Sequence, residues 1–246
     1  MIRLVKQLFQ KNDIPQNLYS VDIHSHLLPG LDDGAKDMQE SIELIKQLKE
    51  LGFQKLITTP HIMSHKYKNS AEKIYQTLSL LHAELKIRKI DIIVEAASEY
   101  YLDTHFMSLL KKREILTFGD NYLLFEHAYN LKPANYESLI FEIKLSGYKP
   151  VLAHPERYLF MHKDFEMYER LKEMGVFFQL NLNSMDGYYS KDVQKIAHKL
   201  VERGWIDFIG SDTHHATHLR HLKKVLQSKN LAKIFQYNTI LNQKLL

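Results

Sequence analysis

Histidines and carboxylates recur along this chain at spacings that suit metal ligation. In His24-Ser25-His26 one residue separates two imidazoles, and the period-two alternation of extended chain places both on one side. Asp212-Thr213-His214 repeats that arrangement near the other end. Between them lie Asp32-Asp33, Thr59-Pro60-His61, Glu99, Glu126 and His154-Pro155-Glu156-Arg157. With one of Asp32 and Asp33, the candidate set is His24, His26, His61, Glu99, Glu126, His154, Asp212 and His214. A tetrahedral zinc takes about four ligands, so a set this large, with carboxylates shared, suits two or three ions. Imidazole and carboxylate without thiolate fit Mn, Fe, Zn or Co. Ions about 3.5–4 Å apart activate a water and clamp the oxygens of a phosphate ester. Phosphoester hydrolysis is therefore the reaction class these residues indicate.

Such residues need a scaffold that brings distant segments together. Strand-like runs fall near 19–24, 54–59, 91–97, 121–126, 150–153, 176–182 and 206–211. Amphipathic helical patterns cover about 37–51, 70–89, 135–147, 164–174, 190–203 and 217–228. Asp37 with Glu40 reads as a capping box and Ser70 as an N-cap, while Gly147, Gly175 and Gly204 stand where helices end. A further helix is expected over residues 1–10, and the segment 100–112 fits no single pattern. Alternating strands and helices imply parallel strands with the helices outside. The chemistry of such folds sits at the C-terminal strand ends, which is where the His, Asp and Glu candidates fall. Closing the sheet into a barrel makes the first and last strands neighbours and unites His24-x-His26 with Asp212-x-His214. An open doubly wound sheet is the competing architecture, but no glycine-rich phosphate fingerprint follows the first strand.

Composition excludes several classes. The 246 residues contain 45% hydrophobic and 25% charged side chains, as a globular chain does. There is no Cys, which removes a Cys nucleophile, thiolate zinc and iron–sulfur clusters. Net charge is +4, too mild to argue for nucleic acid. No apolar run is long enough for a membrane span and no signal-peptide core is evident, so a cytoplasmic protein without membrane insertion is expected. Arg220, Lys223, Lys224, Lys229, Lys233 and Lys244 follow Asp212 with no acid among them. That tail reads as solvated helix faces.

Asp22-Ile23-His24-Ser25-His26-Leu27-Leu28-Pro29-Gly30-Leu31-Asp32-Asp33-Gly34 resembles the first motif of the polymerase-and-histidinol-phosphatase (PHP) superfamily. It is most similar to the branch of bacterial manganese-dependent protein-tyrosine phosphatases of capsule and exopolysaccharide loci. Thr59-Pro60-His61, Ala153-His154-Pro155-Glu156-Arg157 and Gly210-Ser211-Asp212-Thr213-His214 match later motifs in the same order. The likeness covers about residues 19–225. It implies a distorted (β/α)7 TIM-like barrel, a single metallophosphatase domain over 1–246, and a three-ion site, manganese foremost. By this resemblance His24, His26, Glu99 and Asp212 hold the first ion. Glu99 bridges to a second, shared with Glu126 and His154, and Asp33 rather than Asp32 joins His61 and His214 on the third. Arg157 matches an arginine that grips the substrate phosphate. Arg220 is nearest to a second such arginine but stands one residue late, and Ile62–Tyr67 departs from the family's pattern.

The activity so implied is a metal-dependent phosphomonoesterase acting on the phosphotyrosines of a bacterial tyrosine autokinase. Attack by a metal-bridging hydroxide would need no phosphoenzyme. Histidinol phosphate, another small ester or a nucleic-acid phosphodiester is the alternative substrate, although no nucleic-acid-binding module accompanies the basic tail. A catalytically silent metal-binding partner protein is the alternative of another class. His127 and His215 adjoin ligand candidates and read as donors behind them, and Tyr188 and Tyr189 read as packing residues.

Overall fold

Parallel strands form the staves of a barrel in the computed structural model, which describes residues 16–246; the helix expected over 1–10 lies outside them. In chain order the strands are β1 (Val21–Asp22), β2 (Lys55–Thr58), β3 (His61–Ile62), β4 (Ile93–Ala96), β5 (Glu99–Tyr101), β6 (Tyr122–Glu126), β7 (Lys149–Ala153), β8 (Phe177–Asn181) and β9 (Phe208–Gly210). β2 and β3 are successive pieces of one stave, broken at Thr59-Pro60 because proline has no N–H for the ladder. β4 and β5 make another, in step with that break: the Glu99 N–H and the Ser98 hydroxyl both donate to the Pro60 carbonyl, at 3.2 and 3.0 Å. β1, β2 and β4 pair in that order, and β3, β5, β6, β7, β8 and β9 in theirs, all in parallel.

The first and last staves meet, as closure requires. Ser25 bridges Thr213 in parallel, the His26 N–H donates to Thr213 O at 2.9 Å and the Asp212 N–H to His24 O at 2.8 Å. Asp22 reinforces this end of the seam by accepting from the Ser211 N–H and hydroxyl, at 2.9 and 2.5 Å. At the other end a side chain does the same work. The Asn242 amide donates to Val21 O and Ile209 O, each at 2.8 Å, and accepts from the Ile209 N–H at 3.0 Å.

Helices α1 (Met38–Glu50), α2 (Ala71–Ile87), α3 (Thr104–Lys112), α4 (Tyr136–Leu145), α5 (Leu159–His162), α6 (Glu166–Glu173), α7 (Lys191–Glu202), α8 (Ala216–Leu226) and α9 (Lys229–Tyr237) surround the staves. Asp37 and Ser70 cap α1 and α2 through the N–H groups of Glu40 and Lys73. The ambiguous segment 100–112 resolves into the end of β5 and α3, which Asp103 caps at the Phe106 N–H. The short α5 was not expected from the pattern, and α9 falls in the basic tail that reads as helix faces, beyond the last helical pattern over 217–228. Two apolar layers result: a larger one between staves and helices, and a smaller one filling the barrel with Val21, Ile23, Ile57, Ala97, Phe118, Leu124, Val151, Ala153 and Phe208.

Candidate metal centre

Period-two alternation along the staves carries the interior from apolar to ligand-bearing. Two residues beyond Ala97 stands Glu99, and two beyond Leu124 stands Glu126, both buried. Ile57 is followed at even spacing by Thr59 and His61, and Phe208 by Gly210 and Asp212. A Cβ at Gly210 would lie 2.7 Å from the His24 Cβ and 2.8 Å from Gln179 Nε2, so only glycine lets these side chains close in. At the strand ends the backbone departs from β geometry. His154 and Asp212 take φ of 36° and 48°, a left-handed conformation that non-glycine residues seldom adopt and that clusters at functional sites.

All nine expected ligand residues converge at the barrel mouth. Glu99 is the hub: its Oε2 lies 3.2 Å from His24 Nε2, 3.5 Å from His26 Nε2 and 3.1 Å from His61 Nδ1, and its Oε1 lies 3.0 Å from His154 Nε2. Asp212 Oδ1 lies 3.5 Å from both His24 and His26 Nε2 and 3.4 Å from His214 Nδ1. Glu126 approaches His61 Nδ1 at 3.1 Å and His154 Nε2 at 4.0 Å. Asp33 Oδ1 is 3.6 Å from the Nε2 atoms of both His61 and His214. His61 therefore offers one ring nitrogen to Glu99 and Glu126 and the other to Asp33. Ligand atoms cluster tightly in the sets His24–His26–Asp212, His24–Glu99–His154, His61–Glu99–Glu126 and His26–His61–His214.

The pattern of satisfied and unsatisfied atoms tests whether this donor set fits cations. Three imidazoles have Nδ1 bound to an oxygen acceptor: His24 to Gln179 Oε1 at 2.7 Å, His26 to Asp32 Oδ2 at 2.7 Å, and His214 to Asp212 O at 3.0 Å. A neutral ring donating at Nδ1 keeps a lone pair at Nε2. Yet the Nε2 atoms of His24 and His26 face each other at 3.3 Å. Glu99 Oε2, Glu126 Oε1 and His61 Nδ1 are buried without any hydrogen-bond partner. Acceptors buried together in this way cost several kcal/mol unless a cation or added protons join them. Without a metal, protons do so. Burial opposes a charged imidazole, but Glu99 and Asp212 raise His24, and Glu99 and Glu126 carry His61 up to about 10. His154 goes the other way, lowered by its burial. The oxygen–nitrogen donor set, the close spacing and the orphaned atoms fit divalent ions.

The two adjacent aspartates divide the labour. The Asp32 side chain is fully buried, 0% exposed against 50% for Asp33. Besides His26 it accepts from the His61 and Gly34 N–H groups, at 3.0 and 2.9 Å. Asp32 thus orients ligand candidates, and Asp33 presents its carboxylate to the cavity. Gln179, which sequence reasoning missed, does for His24 what Asp32 does for His26. Its only signal was a neutral polar residue on an inward position of β8.

A cleft of about 440 Å³ opens over the cluster, lined among others by Asp33, Glu99, Tyr129, Arg157, Tyr189 and His218. Arg157 enters it and ion-pairs with Asp212 Oδ2 at 3.0 Å. Arg220 does not. It is exposed on α8, bonded to the Thr217 hydroxyl at 2.7 Å, and lines no part of the cleft. On α8 it is His218 that lines the cleft, and at about 100° per residue Arg220, two positions on, lies about 200° round the helix from it and faces solvent. His127 points away too, its ring stacked on Tyr158 at 3.9 Å and bonded to the Tyr136 hydroxyl at 3.0 Å.

Fold and site together define a metal-dependent hydrolase built on an α/β barrel. Residues 20–239 match the family described as capsular polysaccharide synthesis, CpsB/CapC, and the chain belongs to it. It is 32% identical over 195 residues to the tyrosine-protein phosphatase YwqE of Bacillus subtilis, covering 79% of this chain and 77% of that one. Tyrosine-protein phosphatase CpsB of Streptococcus pneumoniae is 27% identical over 200 residues, covering 79% and 82%. A crystal structure from work on YwqE and CpsB, described as unique metal-dependent tyrosine phosphatases, superposes with a TM-score of 0.77 at 29% identity, covering 89% of this chain and 96% of that chain. Histidinol phosphate phosphatase of Lactococcus lactis shares the fold at a TM-score of 0.54 and 13% identity, covering 84% and 92%.

Proposed function

We propose that this protein is a metal-dependent protein-tyrosine phosphatase whose substrate is the phosphotyrosine tail of a bacterial tyrosine autokinase in capsule or exopolysaccharide synthesis. Residues 1–246 act in this reading as one metallophosphatase domain in the cytoplasm; among the described residues no helix is long and apolar enough to cross a membrane. The observation that carries the proposal is the cluster of orphaned buried carboxylate and imidazole atoms beneath a cleft holding one guanidinium. Family membership supports the phosphatase reading.

His24, His26, Glu99 and Asp212 would hold one ion, Glu99, Glu126 and His154 a second, and Asp33, His61 and His214 a third, with Mn²⁺ the favoured metal. Ions of this class lower the pKa of an attacking water and neutralise charge on the phosphoryl oxygens. The chain's own residues prepare the site. Asp32 and Gln179 fix the tautomers of His26 and His24, keeping both Nε2 lone pairs toward the cavity. Arg157 binds the phosphoryl oxygens with the planar fork that guanidinium offers. The chain has no Cys, in keeping with direct hydrolysis.

The test is phosphate release from a phosphotyrosine peptide by manganese-loaded and by chelated protein, with histidinol phosphate and a phosphodiester alongside. Turnover of the peptide in the loaded sample alone is expected. Turnover confined to another ester overturns the protein substrate, and metal binding without any turnover overturns the enzyme.

A further inference from the structure

Arg157 is held more elaborately than an ion pair needs. Its guanidinium carbon lies 4.6 Å from the centroid of the Tyr129 ring and 4.3 Å from that of Tyr189. Both rings line the cleft. Tyr129 comes from the loop after β6 and Tyr189 from the loop after β8, so the two strand ends on either side of the Arg157 loop each send an aromatic onto it. Each tyrosine has further partners besides Arg157. Tyr129 stacks on Tyr158 at 5.7 Å, and its carbonyl accepts from the Leu159 N–H at 2.8 Å, tying its loop to the segment after Arg157. The Tyr189 hydroxyl sits 3.2 Å from Asp212 Oδ2 and 3.1 Å from Asn181 Nδ2.

Asp212 is divided as a result. Its Oδ2 accepts from Arg157 Nη1 at 3.0 Å, Asn181 Nδ2 at 2.6 Å and the Tyr189 hydroxyl at 3.2 Å. Its Oδ1 is the atom that faces His24, His26 and His214. Three donors on one oxygen fix the rotation of the carboxylate and reserve the other for the imidazole side. Aromatic faces on a guanidinium restrict it to donating in its own plane. One in-plane group goes to Asp212. The remaining N–H groups have no protein acceptor among the described residues, and the side chain keeps 21% of its surface open at the cleft.

We propose that Tyr129 and Tyr189 are positioning residues for the phosphoryl group: their rings hold the Arg157 guanidinium edge-on to the cleft, and the Tyr189 hydroxyl, with Asn181, locks Asp212 with one oxygen toward the metal-ligand imidazoles. This rests on the phosphatase reading above. The two tyrosines have separable duties. Tyr129 acts through its ring alone, whereas Tyr189 acts through ring and hydroxyl.

Titration calorimetry of inorganic phosphate into the manganese-loaded full chain reads the ring contribution without turnover. Tyr129→Leu and Tyr189→Leu each weaken phosphate binding by roughly fivefold to tenfold and raise KM for the phosphotyrosine peptide in step, and Tyr189→Leu, which also loses the hydroxyl on Asp212, weakens Mn²⁺ binding as well. Tyr129→Phe restores wild-type phosphate binding. Tyr189→Phe also keeps it but weakens Mn²⁺ binding about tenfold, because Asp212 loses an orienting donor. Should a leucine variant fail to fold, phenylalanine and pentafluorophenylalanine at position 129 compare rings of one shape with and without an electron-rich face. The fluorinated ring is then expected to weaken phosphate binding about fivefold. Phosphate affinity equal to wild type in the folded leucine variants, or equal for the two phenylalanines, overturns the clamp. Wild-type peptide turnover is measured alongside. Its absence rejects the phosphatase reading, whereas turnover with unaltered phosphate binding in the ring variants rejects the clamp alone.

Discussion

The floor and the mouth of the barrel are built from the same staves and solve opposite problems. At the floor Phe208 meets Phe118 at 5.5 Å and Tyr122 at 4.9 Å, edge to face, and Val21, Ile57, Leu124 and Val151 fill the space around them. The packing there is apolar, and burial of each large apolar side chain contributes about 1.5–3 kcal/mol. Two residues along, the interior becomes Glu99, Glu126 and a ring of imidazoles, several of whose buried atoms have no hydrogen-bond partner. Charges so buried oppose folding unless something joins them. The floor supplies stability in its own right, and the mouth stores an electrostatic cost that a bound cation relieves. The seam shows the same division: at the mouth Asp22 links to Ser211, and near the floor Asn242 pairs the two staves through three hydrogen bonds.

This contrast can be broken by experiment. Phe208→Ala should lower unfolding stability by about 3–5 kcal/mol through the cavity it leaves, while the bound manganese per chain, measured by plasma mass spectrometry, stays at the wild-type value. Loss of metal in that variant would show that floor and mouth are not independent. Glu99→Gln makes the opposite cut. It removes the charge shared by four imidazoles, and turnover should fall more than about 100-fold, together with metal content. Retained metal and activity would remove Glu99 from the centre of the site.

Asn242→Ala should cost about 1–3 kcal/mol, since it strips partners from buried backbone groups on both staves. Chemical denaturation measures this, and metal affinity should hardly move. The smallest effect expected is one of pH. In metal-free protein His61 is raised to about 10, with His24 and His26 also raised. A raised histidine stabilises fully below its unfolded value of about 6.5, and that contribution is lost as pH rises through its folded pKa. Chelated protein should therefore lose thermal stability between about pH 7 and pH 10, more than manganese-loaded protein does, because the ion replaces the protons. Parallel melting curves for the two forms would blunt the contrast between floor and mouth.

Much of this was legible in the chain. His24-x-His26 and Asp212-x-His214 announce themselves through extended-chain alternation, and Glu99 and Glu126 fall two residues past inward apolar positions. The rest was hidden for identifiable reasons. Gln179 and Asn181 are neutral, and nothing in their types marks them as partners of His24 and Asp212. Tyr129 is 28 residues from Arg157 along the sequence, and only the packing of neighbouring loops brings them together. The expectation that Tyr189 merely packs missed its hydroxyl on Asp212. The basic tail reads as helix faces, but the short apolar stripe of Leu231 and Ile234 did not mark α9 as an element of its own.

The sequence by itself determined the kind of chemistry and the kind of scaffold, since residue type and period-two spacing follow from covalent geometry. Tertiary structure decided how the parts are used. Asp32 and Asp33 are neighbours of identical chemistry, and only burial separates the orienting carboxylate from the one that faces the cavity. Arg157 and Arg220 carry the same guanidinium, yet one stands in the cleft between two aromatic rings and the other in solvent beside Thr217. Hydrogen-bond partners, ring faces and solvent access are properties of a place in the fold, and no residue carries them in its name.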